Sequence, residues 1–203
     1  MTSTDTPTVM MDKLAEAAWA QLADMSPRAL HIDEIAAAAG IAPSAARAVS
    51  GSITALILHQ LARLDRQAIL ESLADIEDAG EVPVRDKIME ALMHRFEVYA
   101  PYRAQMIQLE AAARRDPFLG LRLVESLLQA TRMLLRMAGD DLAGFRGEAR
   151  VRGVAGLAMV VARVWRTDDT PDLSMTLKEI DKRLATAEDC LLYTSDAADE
   201  EDS

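Results

Sequence analysis

Proline and glycine cut this chain into a series of segments whose apolar residues recur at helical spacing, and that punctuation constrains the fold more than any other feature. Met10, Leu14, Ala17, Ala18, Leu22 and Met25 make one face of a first helix, Val9 to about Asp24, closed by Ser26-Pro27. A short helix from Ile32 to Ala39 carries Ile35 and Ala36 inward, and Gly40 follows where a left-handed helix-end residue belongs. Pro43 suits the first turn of another short helix, to about Val49. After Gly51, Ser52 is placed to cap a long helix from Ile53 to about Glu77, with Leu56, Leu61, Leu64 and Leu73 apolar. Pro83 opens the next, Pro101 forces a kink or a new start, and a further segment reaches about Arg115. Asp116-Pro117 begins a helix that Gly139 ends, Gly144 to Gly147 is expected to be a loop, and two helices follow, Glu148 to Arg166 and Leu173 to Ala187. Aromatics make up only 4% of the chain and β-branched runs are short, so the expectation is an all-α protein with no sheet.

The formal net charge of −11 argues against loose electrostatic attachment to nucleic acid or to anionic lipid. Part of that charge sits in residues 190–203, which resemble the translation of a sequencing-library adapter and are expected to be a scar. Five of the 33 acidic residues lie there (Asp196, Asp199, Glu200, Glu201 and Asp202) with no Lys or Arg, so the remainder carries −6. The one cysteine, Cys190, also falls in that stretch, which leaves none for a disulfide, a metal or a thiol nucleophile and fits a reducing cytoplasm. Residues 1–8 have neither a basic region nor an apolar core, so a frayed start is expected and no signal peptide. The most apolar stretch, Val151 to Trp165, is interrupted by Arg152 and Arg163 and is too short to span a bilayer.

Short helix, glycine turn, short helix is the helix-turn-helix pattern. With Leu14-Ala15-Glu16-Ala17-Ala18-Trp19 before it, Ile32-Asp33-Glu34-Ile35-Ala36-Ala37-Ala38-Ala39-Gly40-Ile41 across it and Ala55-Leu56 after it, the first sixty residues resemble the DNA-binding head of the tetracycline-repressor (TetR) family. The body is similar to TetR-like proteins related to a coenzyme Q biosynthesis accessory protein, through Trp165-Arg166-Thr167-Asp168-Asp169-Thr170-Pro171-Asp172-Leu173-Ser174-Met175-Thr176-Leu177 and Ile180-Asp181-Lys182-Arg183-Leu184. These resemblances imply a three-helix head over 9–52 and a helical body for ligand binding and dimerisation over 53–189. Where TetR-type heads usually carry an aromatic pair and a basic residue against phosphate, this chain has Arg47, Ser50 and Ile53. Between residues 26 and 60, Arg28 and Arg47 face Asp33 and Glu34, so the head has no net positive charge with which to displace counterions.

Ser44 and Arg47 are the candidates for direct DNA contact, and Ser52 and Thr54 can donate to a phosphate. An exposed polar face and simple helix capping explain the same four residues. Met89, Met93, Phe96, Tyr99, Met106, Met133, Met137 and Trp165 can line an adaptable pocket for a small apolar or lipid-like ligand, and ordinary core packing is the competing reading for each. The last two helices resemble the pair that forms the four-helix dimer interface of TetR-type proteins, which points to Gly153, Gly156, Leu157, Val160, Leu177, Ile180 and Leu184 as homodimer contacts. The histidines His31, His59 and His94 are far apart in sequence and are read as lacking any metal-like i,i+4 pairing with a carboxylate or a second histidine, so no metal site is expected of them. No nucleophile motif, phosphate loop or dinucleotide fingerprint occurs, so neither catalysis nor a cofactor is expected. The expectation is a cytoplasmic, homodimeric, non-enzymatic regulator that binds operator DNA and responds to a small apolar ligand. Its rival is a TetR-like accessory protein of ubiquinone biosynthesis that binds an isoprenoid or quinone lipid and has lost DNA binding.

Overall fold

The structure, a computed structural model, describes residues 6–79 and 82–199; side chains are described as far as Glu77 in the first stretch and Ala187 in the second. All of its regular structure is helical, and no strand occurs among the described residues. The helices are α1 (Pro7–Gln21), α2 (Ile32–Ala38), α3 (Pro43–Val49), α4 (Ile53–Ala79), α5 (Val84–Tyr99), α6 (Arg103–Ala113), α7 (Pro117–Met137), α8 (Gly144–Trp165) and α9 (Ser174–Asp199). Short 3-10 turns cover Pro27–Ala29 and Ala100–Tyr102, the second of them the break that Pro101 imposes.

Contacts group the chain into two compact units, residues up to Arg66 with Tyr99–Leu127, and Gln67–Val98 with residues from Leu128 onward. In the first, α1, α2 and α3 pack on one another, with Leu14, Ala18, Trp19, Ile35, Ala36 and Ala46 buried. The Asp12 carboxylate accepts from His59 at 2.7 Å, and Glu16 pairs with Arg63 at 2.8 Å, which ties α1 to α4. The Tyr99 hydroxyl donates to the buried Asp65 at 2.9 Å, and Trp19 meets Tyr102 edge-on. In the second unit α8 packs along α9, over Val151, Ala155, Val161, Ile180 and Leu184. Trp165 lies against Phe96, and its indole N–H donates to the Phe96 carbonyl at 3.0 Å.

Local stereochemistry explains where the helices stop and start. At the end of α2, Gly40 has φ +66°, and Ile41 N–H returns to the Ala36 carbonyl while Gly40 N–H reaches Ala37. This is a Schellman closure, in which the left-handed residue is cheapest as glycine and the following apolar side chain, Ile41, is buried. Pro43 then occupies the first turn of α3, where its missing N–H costs nothing.

Four boundaries differ from the sequence reading. α1 begins at Pro7 rather than Val9, because Thr6 accepts from Val9 N–H through its hydroxyl; the rest of the expected frayed start, residues 1–5, lies outside the described residues. It also ends at Gln21, before Asp24. Gly144-Phe145-Arg146-Gly147 is the first turn of α8 and not a loop, with Gly147 N–H bonded to the Ala143 carbonyl at 3.1 Å. α9 continues past Ala187 to Asp199, with no glycine or proline in between to stop it. Residues 200–203 and the side chains from Glu188 onward, which include those of the expected scar at 190–203, lie outside the described residues. No described helix is long and apolar enough to cross a membrane.

Candidate nucleic-acid interface

The three-helix head positions α3 through a buried seam. Ala46 is fully buried while Ser44 and Arg47 are exposed, so the helix turns its polar residues outward. Arg47 is not loose, however: its guanidinium donates to the Asp33 carboxylate on α2. Sequence reasoning counted Asp33 against the charge of the head but did not pair it with Arg47, because the two are brought together only by the turn at Gly40. Both partners are more than half exposed, and ion pairs of that kind contribute roughly 0–1 kcal/mol, so the guanidinium can exchange its partner at small cost.

Ser52 and Thr54 stand at the start of α4. Ala55 N–H donates to the Ser52 hydroxyl oxygen at 3.4 Å, so the capping reading describes Ser52. Thr54 is half-buried. Ser50, which the resemblance to TetR-type heads puts near phosphate, is buried and donates through its hydroxyl to the Ser52 carbonyl at 3.2 Å, so it closes the α3–α4 joint. Arg28, the other basic residue in the stretch, is exposed and bonds Asp116 at 3.3 Å.

Of the residues expected to line a ligand pocket, Tyr99 and Met106 belong to the first unit and Met89, Met93, Phe96, Met133, Met137 and Trp165 to the second. Phe96 and Trp165 are buried with the indole N–H satisfied, which is the behaviour of packed core. Met93 is likewise buried, Met89, Met106 and Met137 are half-buried, and Met133 is exposed.

The residues expected at a dimer interface divide by direction. Ile180, Leu184 and Leu157 are closed off within the protomer, whereas Gly153 and Leu177 are exposed and Gly156 and Val160 half-exposed. A Cβ added at Gly153 or Gly156 would meet nothing within 4 Å. Their smallness therefore serves no contact among the described residues.

The Thr167–Ser174 connection, which carries the likeness to the coenzyme Q-related proteins, is a capping device. Asp168 is fully buried and accepts from Thr176 N–H at 2.7 Å, from the Thr176 hydroxyl at 2.7 Å and from the Thr170 hydroxyl at 2.5 Å. Burial alone would raise this carboxyl, but the hydrogen bonds from Thr170 and Thr176 outweigh it and hold the pKa at about 2, below the ordinary 3.8. Thr176 lies in the first turn of α9, so Asp168 satisfies an N–H that has no partner inside the helix.

His94 contradicts the reading that no histidine has an i,i+4 carboxylate partner. Glu90 is one helical turn before it on α5, a spacing visible in the sequence, and Asp75 reaches it from α4, which only the fold reveals. His94 Nε2 lies 2.9 Å from Asp75 Oδ2 and 3.2 Å from Glu90 Oε1.

No family model matches the chain, and no curated protein matches it. Among solved structures it is similar to a TetR transcriptional regulator from Nitrosomonas europaea, with TM-score 0.68 and 13% identity over 88% of this chain and 98% of that one. It is also similar to a TetR-family transcriptional regulator from Streptomyces coelicolor, with TM-score 0.62 and 19% identity over 98% of this chain and 86% of that one. A TetR transcriptional regulator from a Rhodococcus species matches with TM-score 0.55 and 15% identity over 85% and 93% of the two chains. At these identities the shared property is architecture, and the chain has the all-helical fold of the TetR-family transcriptional regulators.

Proposed function

We propose that the protein is a non-enzymatic, DNA-binding transcriptional regulator of the cytoplasm that works as a homodimer and responds to a small apolar ligand. The observation that carries this reading is the helix-turn-helix head, in which α3 turns Ser44 and Arg47 outward from a buried seam within a TetR-type fold. Phosphate contacts fix the register of such a head and base-edge contacts specify sequence. Arg47, with its planar fork of donors, suits a guanine edge or a phosphate. The test is retardation of the DNA upstream of the protein's own gene in the presence of competitor DNA. Arg47→Ala is expected to weaken binding about ten- to hundredfold, the usual cost of an arginine–base contact; undiminished binding by that variant contradicts the assignment.

Asp33→Asn is expected to act in the opposite direction. It releases Arg47 and removes a carboxylate that repels the duplex, so binding at low salt should tighten by about three- to fivefold, the equivalent of an exposed ion pair of ~1 kcal/mol. Anisotropy titration of the same DNA fragment reads this out, and equal or weaker binding shows that Asp33 positions Arg47 productively.

The open strip of Gly153, Gly156, Val160 and Leu177 supports two-fold packing of α8 and α9 on a second copy. Sedimentation at micromolar concentration should give twice the 22.2 kDa chain mass. Gly153→Leu, whose Cβ would meet nothing within 4 Å, places a bulky side chain on that strip and should return the mass to that of one chain.

A lipid-binding accessory protein with a TetR-like fold is the second reading, favoured by one observation: the head has no net positive charge and its arginine is paired internally. Absence of DNA binding at low salt, together with an isoprenoid or quinone lipid co-purifying with the full chain, selects it.

A further inference from the structure

We propose that Asp75, Glu90 and His94 form a binding site for a divalent first-row transition-metal ion, held between α4 and α5 and open to solvent on its remaining coordination positions. Nothing in the DNA-binding reading requires this site, and its test involves no DNA.

The spacing of His94 Nε2 from the two carboxylate oxygens matches that of neighbouring ligands on one ion. Metal–nitrogen and metal–oxygen bonds of about 2.0–2.2 Å place neighbouring donors roughly 3.0 Å apart at right angles and 3.4 Å apart at tetrahedral angles. His94 Nε2 is 2.9 Å from Asp75 Oδ2 and 3.2 Å from Glu90 Oε1, and all three donor atoms lie within 4.8 Å of one another. Glu90 and His94 share one face of α5 by their four-residue spacing, and Asp75 closes the site from α4. The His94 side chain is 14% exposed, so its ring is held by packing, whereas Asp75 and Glu90 are open enough for water to complete the shell. One imidazole and two carboxylates suit an ion of borderline softness better than Ca²⁺ or Mg²⁺, which prefer oxygen throughout.

The opposite ring nitrogen, Nδ1, faces Glu97 at 3.6 Å and Glu71 at 4.0 Å. With an ion on Nε2, Glu97 on the far side of the ring gives the carboxylate–histidine–metal arrangement that orients metal-bound imidazoles.

Co²⁺, whose visible absorption reports nitrogen and oxygen ligation, is the probe. Titration into the full chain at neutral pH is expected to give one equivalent of bound ion, a visible band and a raised Tm, with binding weakening as protons compete at lower pH. His94→Gln should abolish the band, Glu90→Gln should weaken binding at least tenfold, and Glu97→Gln about tenfold by loosening the ring. Glu90 is half-exposed, so its variant folds even if His94→Gln does not. Absence of binding below millimolar Co²⁺ overturns the proposal. Binding unchanged in Glu90→Gln and His94→Gln places the ion elsewhere on the chain and also overturns it.

Discussion

Gly147→Ala is expected to lower stability by roughly 3 kcal/mol, a fall in Tm of about 6–12 °C for a chain of this size. The added Cβ would lie 2.2 Å from the Leu142 carbonyl carbon, 2.3 Å from its oxygen and 2.6 Å from its Cα. All three are backbone atoms, so a rotamer change cannot relieve the overlap. Leu142 also has little freedom to retreat. It already sits at φ 54°, its N–H is held by Asp140 at 2.7 Å, and Asp140 is in turn held by the Arg150 guanidinium, which keeps its carboxyl below the usual range. The strain must therefore open the first turn of α8. Gly51→Ala, where the new Cβ meets nothing within 4 Å, is the control and should shift Tm little. Calorimetry distinguishes the two, and equal transitions would show that α8 does not begin at Gly144.

Asp168→Ala is expected to cost about 3 kcal/mol at neutral pH, because it strands the buried Thr176 N–H and hydroxyl at the start of α9. The same carboxylate predicts a pH dependence. Its pKa is about 2 in the folded chain against an ordinary 3.8, so the folded state binds this proton less readily than the unfolded state. The stabilisation is then complete above about pH 4 and is lost as pH falls through the interval toward 2. Urea unfolding between pH 5 and 2 should show a steep acid decline in the natural sequence and a shallower one in Asp168→Ala. Parallel declines would mean that Asp168 is not the group that titrates.

The helical architecture was legible because it rests on local rules: apolar spacing, a proline at a first turn, a glycine with positive φ after α2. Gly40 and Pro43 fixed the turn and the bounds of α3 before any packing was known. The same rules misread Gly144 to Gly147, since two glycines close together usually mark a loop; here Gly147 passes the Leu142 backbone at a distance that only a glycine tolerates. Pairings between elements were not legible. Asp33 and Arg47 are fourteen residues apart, and Asp75 and His94 nineteen, so their meeting depends on tertiary packing. Trp165 and Phe96 show the limit of composition: aromatic and methionine side chains suit a pocket and a core equally, and the hydrogen bond from the indole to the Phe96 carbonyl is what marks the core.

The central claim, that α3 presents Arg47 to a duplex, is tested most directly by the slope of log affinity against log salt for the upstream DNA fragment, measured for the natural sequence and Arg47→Ala. Each phosphate contact contributes about 0.9 to that slope. The account predicts saturable, salt-weakened binding by the natural sequence, with lower affinity and, where Arg47 grips a phosphate, a slope shallower by about one in the variant. No binding even at low salt, or identical affinities and slopes for the two proteins, would contradict it.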